Sequence, residues 1–389
     1  MDERECTIAL SLLTEPGNRA ITHQLAENTA SAVLERLLDD ADTSPEAVVA
    51  RERLANREPL SLVDQALSIA AACGARAVTR ADGDWPGRVD DLAEMFDESD
   101  VYTGPPICLW VRGAADLPQA TQRTVALVGA RNCTSYGTYS ATELAYGLAR
   151  HGWTVVSGGA YGIDAAAHRG ALAGGGPTIC IVASGVDHAY PAAHADLFDR
   201  IAENGLLLSE WPPGSTPRRY RFLVRNRVIA ALSMGTVVVE AGIRSGARQT
   251  ARITADLDRT VMVVPGPITS QASAGVHQLA RGPAPVRLVT RAAEIIEDLS
   301  PAGSTCEPPP PSVSRAGDRL SPNAARVLDS VPLRDPATCA RIAAQAGVTV
   351  AEARQILPGL VNRRFIEEHE GRYRVATEFP PRSGDNDAR

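Results

Sequence analysis

The stretch that decides the fold of this chain is Val125-Ala-Leu-Val-Gly-Ala-Arg-Asn-Cys-Thr-Ser-Tyr-Gly137. It begins as a short apolar run and ends in a loop with two glycines, and the amphipathic stretch Thr138–Arg150 follows it. A strand, a glycine loop and a helix in this order are typical of a doubly wound α/β domain. Free backbone N–H groups at the start of such a helix favour the binding of a phosphate.

The same alternation of short β-branched runs and amphipathic segments continues to about residue 300. The predicted strands are Val125–Val128, Thr154–Val156, Thr178–Val182, Leu206–Leu208, Val237–Val239 and Val261–Val264. Strands that alternate with helices imply a parallel sheet covered by helices on both faces. The sequence therefore predicts an α/β fold, with a Rossmann-like doubly wound central domain over residues 96–300.

The flanking segments predict smaller domains on either side. Residues 1–95 have apolar residues at helical spacing and predict a helical domain. Residues 301–320 form a proline-rich linker. Residues 321–377 predict a winged-helix domain, with three helices at Asn323–Ser330, Ala337–Gln345 and Val350–Val361 before a hairpin at Arg363–Val375. The polar residues 378–389 predict a disordered tail.

Composition narrows the class of protein. The chain of 389 residues has a net charge of −7, and all of its 39 basic residues are arginine. Its seven cysteines are scattered and never form a Cys-x-x-Cys pair, which favours reduced cytoplasmic thiols over disulfides or a zinc site. Because no run of 18 apolar residues occurs, the sequence predicts no membrane span.

The glycine loops disfavour the usual nucleotide cofactors. Arg131 stands where a Gly-x-Gly-x-x-Gly motif has its second glycine, and Ser157-Gly158-Gly159 replaces the acidic residue that binds a ribose. A Walker A loop requires lysine, which this chain lacks. We therefore expect no NAD, FAD or other cofactor. Two loops on adjacent strands still predict an anion site at a switch point of the sheet, to which the third small-residue cluster, Ser245–Thr250, adds hydroxyl and amide groups.

A second decisive stretch, residues 218–227, contains five arginines and two aromatic residues in ten positions. On an acidic protein, such a local cationic segment indicates a confined polyanion site. Arginine beside an exposed ring suits single-stranded nucleic acid, because guanidinium binds phosphate and a ring stacks on a base. The alternative is a solvated helix face whose arginines pair with acids elsewhere, and the segment alone does not decide between the two.

Catalytic candidates are few. Asp164 and His168 are four residues apart, and we interpret them as a helix cap and a local pair rather than an acid–base dyad. Asp187–Pro191 reads as a turn. Since the sequence has no Gly-x-Ser-x-Gly motif, metal-binding histidine pair or clustered carboxylates, we predict no catalytic residue, no metal site and no enzymatic activity.

Six motifs in this order resemble the DNA-processing protein A (DprA/Smf) family over roughly residues 84–282. The motifs lie at residues 128–137, 157–168, 185–191, 209–214, 222–230 and 264–266. Members of this family commonly have a helical SAM-like domain before the Rossmann-like domain, and some have a C-terminal winged helix. Ala130 departs from the family's usual serine, which puts one phosphate contact in doubt. Leu223 departs from its usual proline, which bears on local backbone shape more than on binding.

The resemblance implies a single-stranded DNA-binding recombination mediator of the natural-transformation type, which protects DNA and loads the recombinase RecA as a homodimer. It assigns phosphate contacts to Arg131, Arg219, Arg225 and Arg227, base stacking to Phe222, and a hydrogen bond to Asn226. The glycine loops complete the predicted site with Gly129, Ser135, Gly137, Ser157, Gly158, Gly159, Ser245, Gly246 and Thr250.

Two other functions remain open. A phosphoribohydrolase-like enzyme shares this Rossmann variant, and Glu240 after the strand Val237–Val239 would be its acidic residue, although the expected Pro-Gly-Gly-x-Gly-Thr loop is absent. A ligand-sensing transcription factor would read duplex DNA through its winged helix. The helix Val350–Val361 is poor in basic residues and contains Pro358, which disfavours that role.

Overall fold

The computed structural model describes residues 1–95, 103–301 and 320–376. The chain divides into two compact units, Met1–Cys306 and Glu307–Arg389. Most of the predicted linker and the whole of the predicted tail lie outside the described residues, so both stay predictions. Among the described residues, no helix is both long and apolar enough to cross a membrane.

The first unit begins with helices whose ends the sequence specifies locally. Asp2, Asn18, Thr29 and Ser44 each cap the helix that follows by accepting a backbone N–H in its first turn. The helices are α1 (Glu3–Leu13), α2 (Arg19–Glu27), α3 (Ala30–Leu38), α4 (Pro45–Leu54) and α5 (Pro59–Ala72). The prediction of a wholly helical segment to residue 95 is wrong at its end, because Ala75–Thr79 is a strand of the central sheet.

Within the described residues, nine strands form the central sheet in the order β1-β2-β6-β5-β4-β3-β7-β8-β9. The strands are β1 (Ala75–Thr79), β2 (Cys108–Arg112), β3 (Thr124–Val128), β4 (Thr154–Ser157), β5 (Thr178–Ile181), β6 (Leu206–Ser209), β7 (Gly235–Val238), β8 (Thr260–Val263) and β9 (Val286–Leu288). Strands β3 to β9 are parallel, whereas β2 runs antiparallel to β1 and β6. The doubly wound Rossmann-like core is thus confirmed.

Helices cover both faces of this sheet, and β3 shows why. Val125 and Leu127 pack with one apolar cluster, whereas Ala126 and Val128 pack with another on the opposite face. A strand buried on both sides needs apolar residues at every position, as the sequence has. The covering helices are α6 (Leu117–Ala120), α7 (Ser135–Arg150), α8 (Ile163–Ala173), α9 (Ala195–Asn204), α10 (Arg221–Leu232), α11 (Gly246–Asp256), α12 (Ala274–Ala280) and α13 (Ala292–Leu299).

The second unit has a separate apolar core around Val327, Ile342 and Leu357. Its elements are α14 (Pro322–Asp329), β10 (Ala337–Thr338), α15 (Cys339–Ala346), α16 (Val350–Asn362), β11 (Ile366–His369) and β12 (Arg372–Val375). The second helix of this unit, α15, starts two residues after its predicted start at Ala337, because Ala337 and Thr338 form a strand that pairs with β12. Helices and hairpin thus occur near their predicted positions, while membership of the winged-helix class stays a prediction.

Candidate nucleic-acid interface

A large cleft of the first unit opens at the carboxyl ends of β3 and β7. Strands β4 to β6 continue the sheet from β3 on one side and β8 continues it from β7 on the other, so the chain changes direction between β3 and β7. A crevice at this point of an open α/β sheet is the usual ligand site. The sequence predicted the switch point of the sheet between the glycine loops after β3 and β4. In the structure it lies between β3 and its other neighbour, β7.

The cleft has a volume of about 1210 Å³. The loop after β3 forms one wall and the loop after β7 the facing wall. The remaining walls come from the segment that leads into α10 and from the turn before α12. The lining segments are Val128–Asn132, Pro217–Arg219, Phe222–Leu223, Arg244–Ala247 and Ser270–Ala272, with single contributions from Thr134, Ala160, Asp164, Tyr190, Arg225, Asn226, Ile229, Gly242 and Thr250.

Four exposed arginines give the cleft its charge: Arg131, Arg218, Arg219 and Arg244. Among the residues that the structure describes, none of their guanidinium groups forms an ion pair with a carboxylate. Asp164 is the one acidic residue in the described lining, and it is buried. Unpaired positive charge in a concave site attracts a polyanion, so for Arg218 and Arg219 the alternative of a surface paired with acids is wrong.

Phe222 lies in the first turn of α10 and is half-buried in the cleft wall. Its ring packs against the buried side chains of Ala183, Trp211 and Val224. The guanidinium carbon of Arg131 lies 5.2 Å from the ring centroid. The predicted stacking ring and one predicted phosphate ligand are therefore in direct cation–π contact, with the guanidinium over the ring.

Arg225 does not reach outward as a phosphate ligand would. It is 4% exposed and donates through Nη1 to the carbonyl oxygens of Gly158, at 2.7 Å, and Ile181, at 2.5 Å. Burial lowers the pKa of its guanidinium, which is nevertheless far too basic to lose its proton. The prediction of a free phosphate-binding side chain is corrected: Arg225 is among the lining residues, but its Nη1 is committed to holding the loop after β4 in place.

Asp164 supports the same loop from the other side. Its carboxylate accepts the backbone N–H groups of Gly158 and Ala160 at 3.2 and 3.3 Å. Burial raises the pKa of Asp164, and the charge of Arg225 opposes that rise. The expected pair with His168 does not form, since His168 hydrogen-bonds to Thr178 and burial lowers its pKa to about 3.

Ser157–Gly159, at the end of β4 and the start of this loop, support the cleft and are absent from its described lining, although Ala160 lines it. Ser157 is buried and donates its hydroxyl to Leu127 O at 2.6 Å. A Cβ atom on Gly158 would lie 2.0 Å from Arg225 Nη1, and one on Gly159 would lie 2.7 Å from Cys180 Sγ. Close packing therefore explains these glycines, and the expectation that Ser157–Gly159 lines the pocket is wrong.

The prediction that Arg227 contacts a phosphate is also wrong. It is 2% exposed, and both of its Nη atoms donate to the Glu210 carboxylate, at 2.7 and 2.8 Å. Glu210 is 4% exposed. Because both of its Nη atoms are engaged in this buried ion pair and it is absent from the described cleft lining, Arg227 stabilises the fold and does not offer its fork to a phosphate.

The N-terminus of α7 is bonded to a carboxylate of the protein itself, that of Glu240. Buried Glu240 accepts the Thr134 backbone N–H at 2.8 Å and the Thr134 hydroxyl at 2.6 Å. A Cβ atom on Gly137 would lie 2.3 Å from a carboxylate oxygen of Glu240, so glycine is required there. Gly137 thus makes room for the Glu240 side chain and not for a phosphate. Ser135 is exposed in the first turn of α7 and is absent from the described cleft lining.

The loop after β7 places the remaining predicted residues at the cleft. Ser245, Gly246 and Thr250 line it, and Ser245 caps α11 by accepting Ala247 N–H at 3.3 Å. The Asn226 amide donates to Gln249 at 3.3 Å, so its side chain bridges α10 and α11. Gly129 also lines the cleft and allows the close approach of Ile163, whose Cγ1 would be 2.5 Å from an added Cβ.

Among the lining residues that sequence reasoning did not assign to the site are two arginines and a second aromatic residue: Arg218, Arg244 and Tyr190. Arg218 and Arg244 carried usable signals, since one adjoins Arg219 and the other follows a predicted strand end. Tyr190 lies in the motif at residues 185–191, which was interpreted as a turn, and its distance from Phe222 along the chain reveals nothing about their contact.

The N-terminal helices support the cleft wall from outside. Tyr220, next to Arg219, donates its hydroxyl to Glu15 at 3.1 Å, and Glu15 in turn pairs with Arg53. The turn after α1 is held as well, because Gly17 O accepts Gly104 N–H at 2.9 Å. This turn therefore packs within the first unit.

Comparisons with known proteins agree with the sequence motifs. Residues 76–300 match the family model of DNA recombination-mediator protein A. A putative DNA processing protein DprA of Mycobacterium tuberculosis is 44% identical over 308 residues, covering 78% of this chain and 77% of the relative. The DNA processing protein DprA of Streptococcus pneumoniae is 38% identical over 209 residues, covering 54% of this chain and 70% of the relative.

The fold has a counterpart among solved structures. The X-ray structure of DNA processing protein A from Streptococcus pneumoniae superposes with a TM-score of 0.61 and 27% sequence identity. The match covers 75% of this chain and 96% of that protein. The family match begins at Arg76 inside β1, which agrees with the observation that β1 belongs to the central sheet.

Proposed function

Because the chain belongs to the DNA recombination-mediator protein A family, we propose that it binds single-stranded DNA in the cleft between β3 and β7. The observation that carries the proposal is the set of four exposed arginines without carboxylate partners in the described residues, which line the same cleft as the Phe222 ring. Arg131 and Arg219 bind phosphates, with Arg218 and Arg244 beside them. Phe222 stacks on a base.

A single strand suits this site better than a duplex. Its unpaired bases expose their faces, so one base can stack on Phe222 while neighbouring phosphates meet the arginines. In a duplex those faces are stacked already, and only the phosphate contacts remain. Guanidinium contacts to the backbone and a ring contact to any base both tolerate changes of sequence, so we expect no strong sequence preference.

We expect tight binding to a single-stranded oligonucleotide and much weaker binding to its duplex. Each phosphate contact on a single strand contributes about 0.7 to the salt dependence, so four contacts give a slope of roughly −3 in a plot of log affinity against log salt. Fluorescence anisotropy with labelled strands at several salt concentrations measures both quantities. Equal affinity for the duplex, or affinity independent of salt, contradicts the proposal.

We further propose that the protein acts in the cytoplasm as a homodimer that loads the recombinase RecA on the bound strand. The family resemblance supports this role. Binding to the strand raises the local concentration of any recombinase held by a separate surface, so loading needs no chemical step. The buried position of Glu240, bonded to Thr134, also favours a binding protein over the hydrolase, whose acidic residue has to face its substrate.

In the presence of this protein, RecA should assemble faster on strands coated with single-strand-binding protein, while ATP and nucleoside monophosphates stay intact. Filament assembly is followed by the fluorescence of labelled RecA, and hydrolysis by chromatography of the nucleotides. Unchanged assembly rates contradict the loading role. Nucleotide turnover that disappears in Glu240→Gln supports the hydrolase instead.

A further inference from the structure

Tyr190 shares the cleft with Phe222 and has no evident structural task. It lies in the turn between β5 and α9, lines the cleft and is 48% exposed. Among the described residues, none hydrogen-bonds to its phenol group. Two other exposed tyrosines are anchored by theirs: Tyr136 donates to Pro265 O at 2.6 Å, and Tyr220 donates to Glu15.

The rings of Tyr190 and Phe222 form an angled surface. Their centroids are 5.5 Å apart and their planes meet at 51°. At this centroid distance and interplanar angle, a base cannot be sandwiched between the two rings. Each ring can instead support a different base, and the guanidinium of Arg131, 5.2 Å from the Phe222 ring centroid, is available for a neighbouring phosphate.

We propose that Tyr190 is a second base-stacking residue, so that the cleft takes two consecutive bases of a single strand, one on Phe222 and the next on Tyr190. This proposal rests on the proposed binding of single-stranded DNA. The free phenol hydroxyl gives the second position an added feature, because it can hydrogen-bond to the edge of a base while the ring stacks. Phe222 has no such group, so the two positions differ in chemistry.

The test compares affinities for an ordinary oligonucleotide and for a matched oligonucleotide of abasic residues with the same phosphates. Tyr190→Ala should weaken binding to the ordinary strand roughly five- to a hundredfold, the range expected for one lost base–aromatic stack. Its affinity for the abasic strand should stay close to that of the unaltered protein. The salt dependence should also stay unchanged, because no phosphate contact is lost.

Tyr146→Ala is the matched control, since Tyr146 is similarly exposed at 43% and lies outside the described cleft lining. It should leave both affinities unchanged. Phe222→Ala is the positive control and should show the same selective loss as Tyr190→Ala.

Equal losses on both strands, or no loss on either, overturn the role of Tyr190. Should the unaltered protein fail to bind single strands at all, the proposed function itself falls. If it binds and only Phe222→Ala is impaired, the proposed function stands and the second stacking position is rejected.

Discussion

Arg227→Ala lowers the free energy of unfolding of the first unit by about 3–5 kcal/mol, the usual cost of leaving a buried charge without its partner. The substitution leaves the buried Glu210 carboxylate without a partner. That carboxylate is 4% exposed and accepts hydrogen bonds from both Nη atoms of Arg227. Urea unfolding followed by tryptophan fluorescence measures the loss. The four tryptophans, Trp85, Trp110, Trp153 and Trp211, all lie in the first unit, so the signal reports that unit alone.

The double variant Arg227→Met with Glu210→Leu is the control for this prediction. Replacing both members of a buried ion pair with apolar side chains of similar size is often neutral or stabilising, so the double variant should recover most of the loss. Folded Arg227→Ala protein should still bind single-stranded DNA. A variant of normal stability that has lost DNA binding contradicts this account and restores Arg227 as a phosphate ligand.

The arginines of residues 218–227 have two different roles, in the cleft and in the buried core, and the sequence did not separate the two groups. The residues ahead of α10, Arg218 and Arg219, are exposed in the cleft, whereas Arg225 and Arg227 within the helix are buried. The sequence did carry a hint, because α10 continues as Val-Ile-Ala-Ala-Leu and has no acidic residue. A helix without a polar face is buried, and buried arginines then need internal partners.

Those partners could not be read from the sequence. Glu210 follows β6 and Gly158 follows β4, and only the order of strands in the sheet brings either one beside α10. The parallel strands were predictable because burial on both faces leaves continuous apolar runs. The edge strand β1 was not, since Ala75–Thr79 follows a helix directly and contains Arg76.

The combined variant Arg131→Glu with Arg219→Glu should lose at least about a hundredfold in affinity for single-stranded DNA. Each change removes one phosphate contact and places a carboxylate where a phosphate would lie. The salt dependence should also become shallower, by about 0.7 for each lost contact. Both side chains are exposed at the cleft, so the free energy of unfolding should stay within about 0.5 kcal/mol of the unaltered value.

The control for this variant is Arg169→Glu with Arg200→Glu, which changes the net charge equally. Arg169 in α8 and Arg200 in α9 are exposed, and neither contributes to the described lining of the cleft. Long-range attraction of DNA depends on total charge and weakens equally in both double variants, whereas phosphate contacts are lost only in the cleft variant. If the control loses as much affinity as the cleft variant, the arginines act through net charge alone, and the cleft is not the binding site.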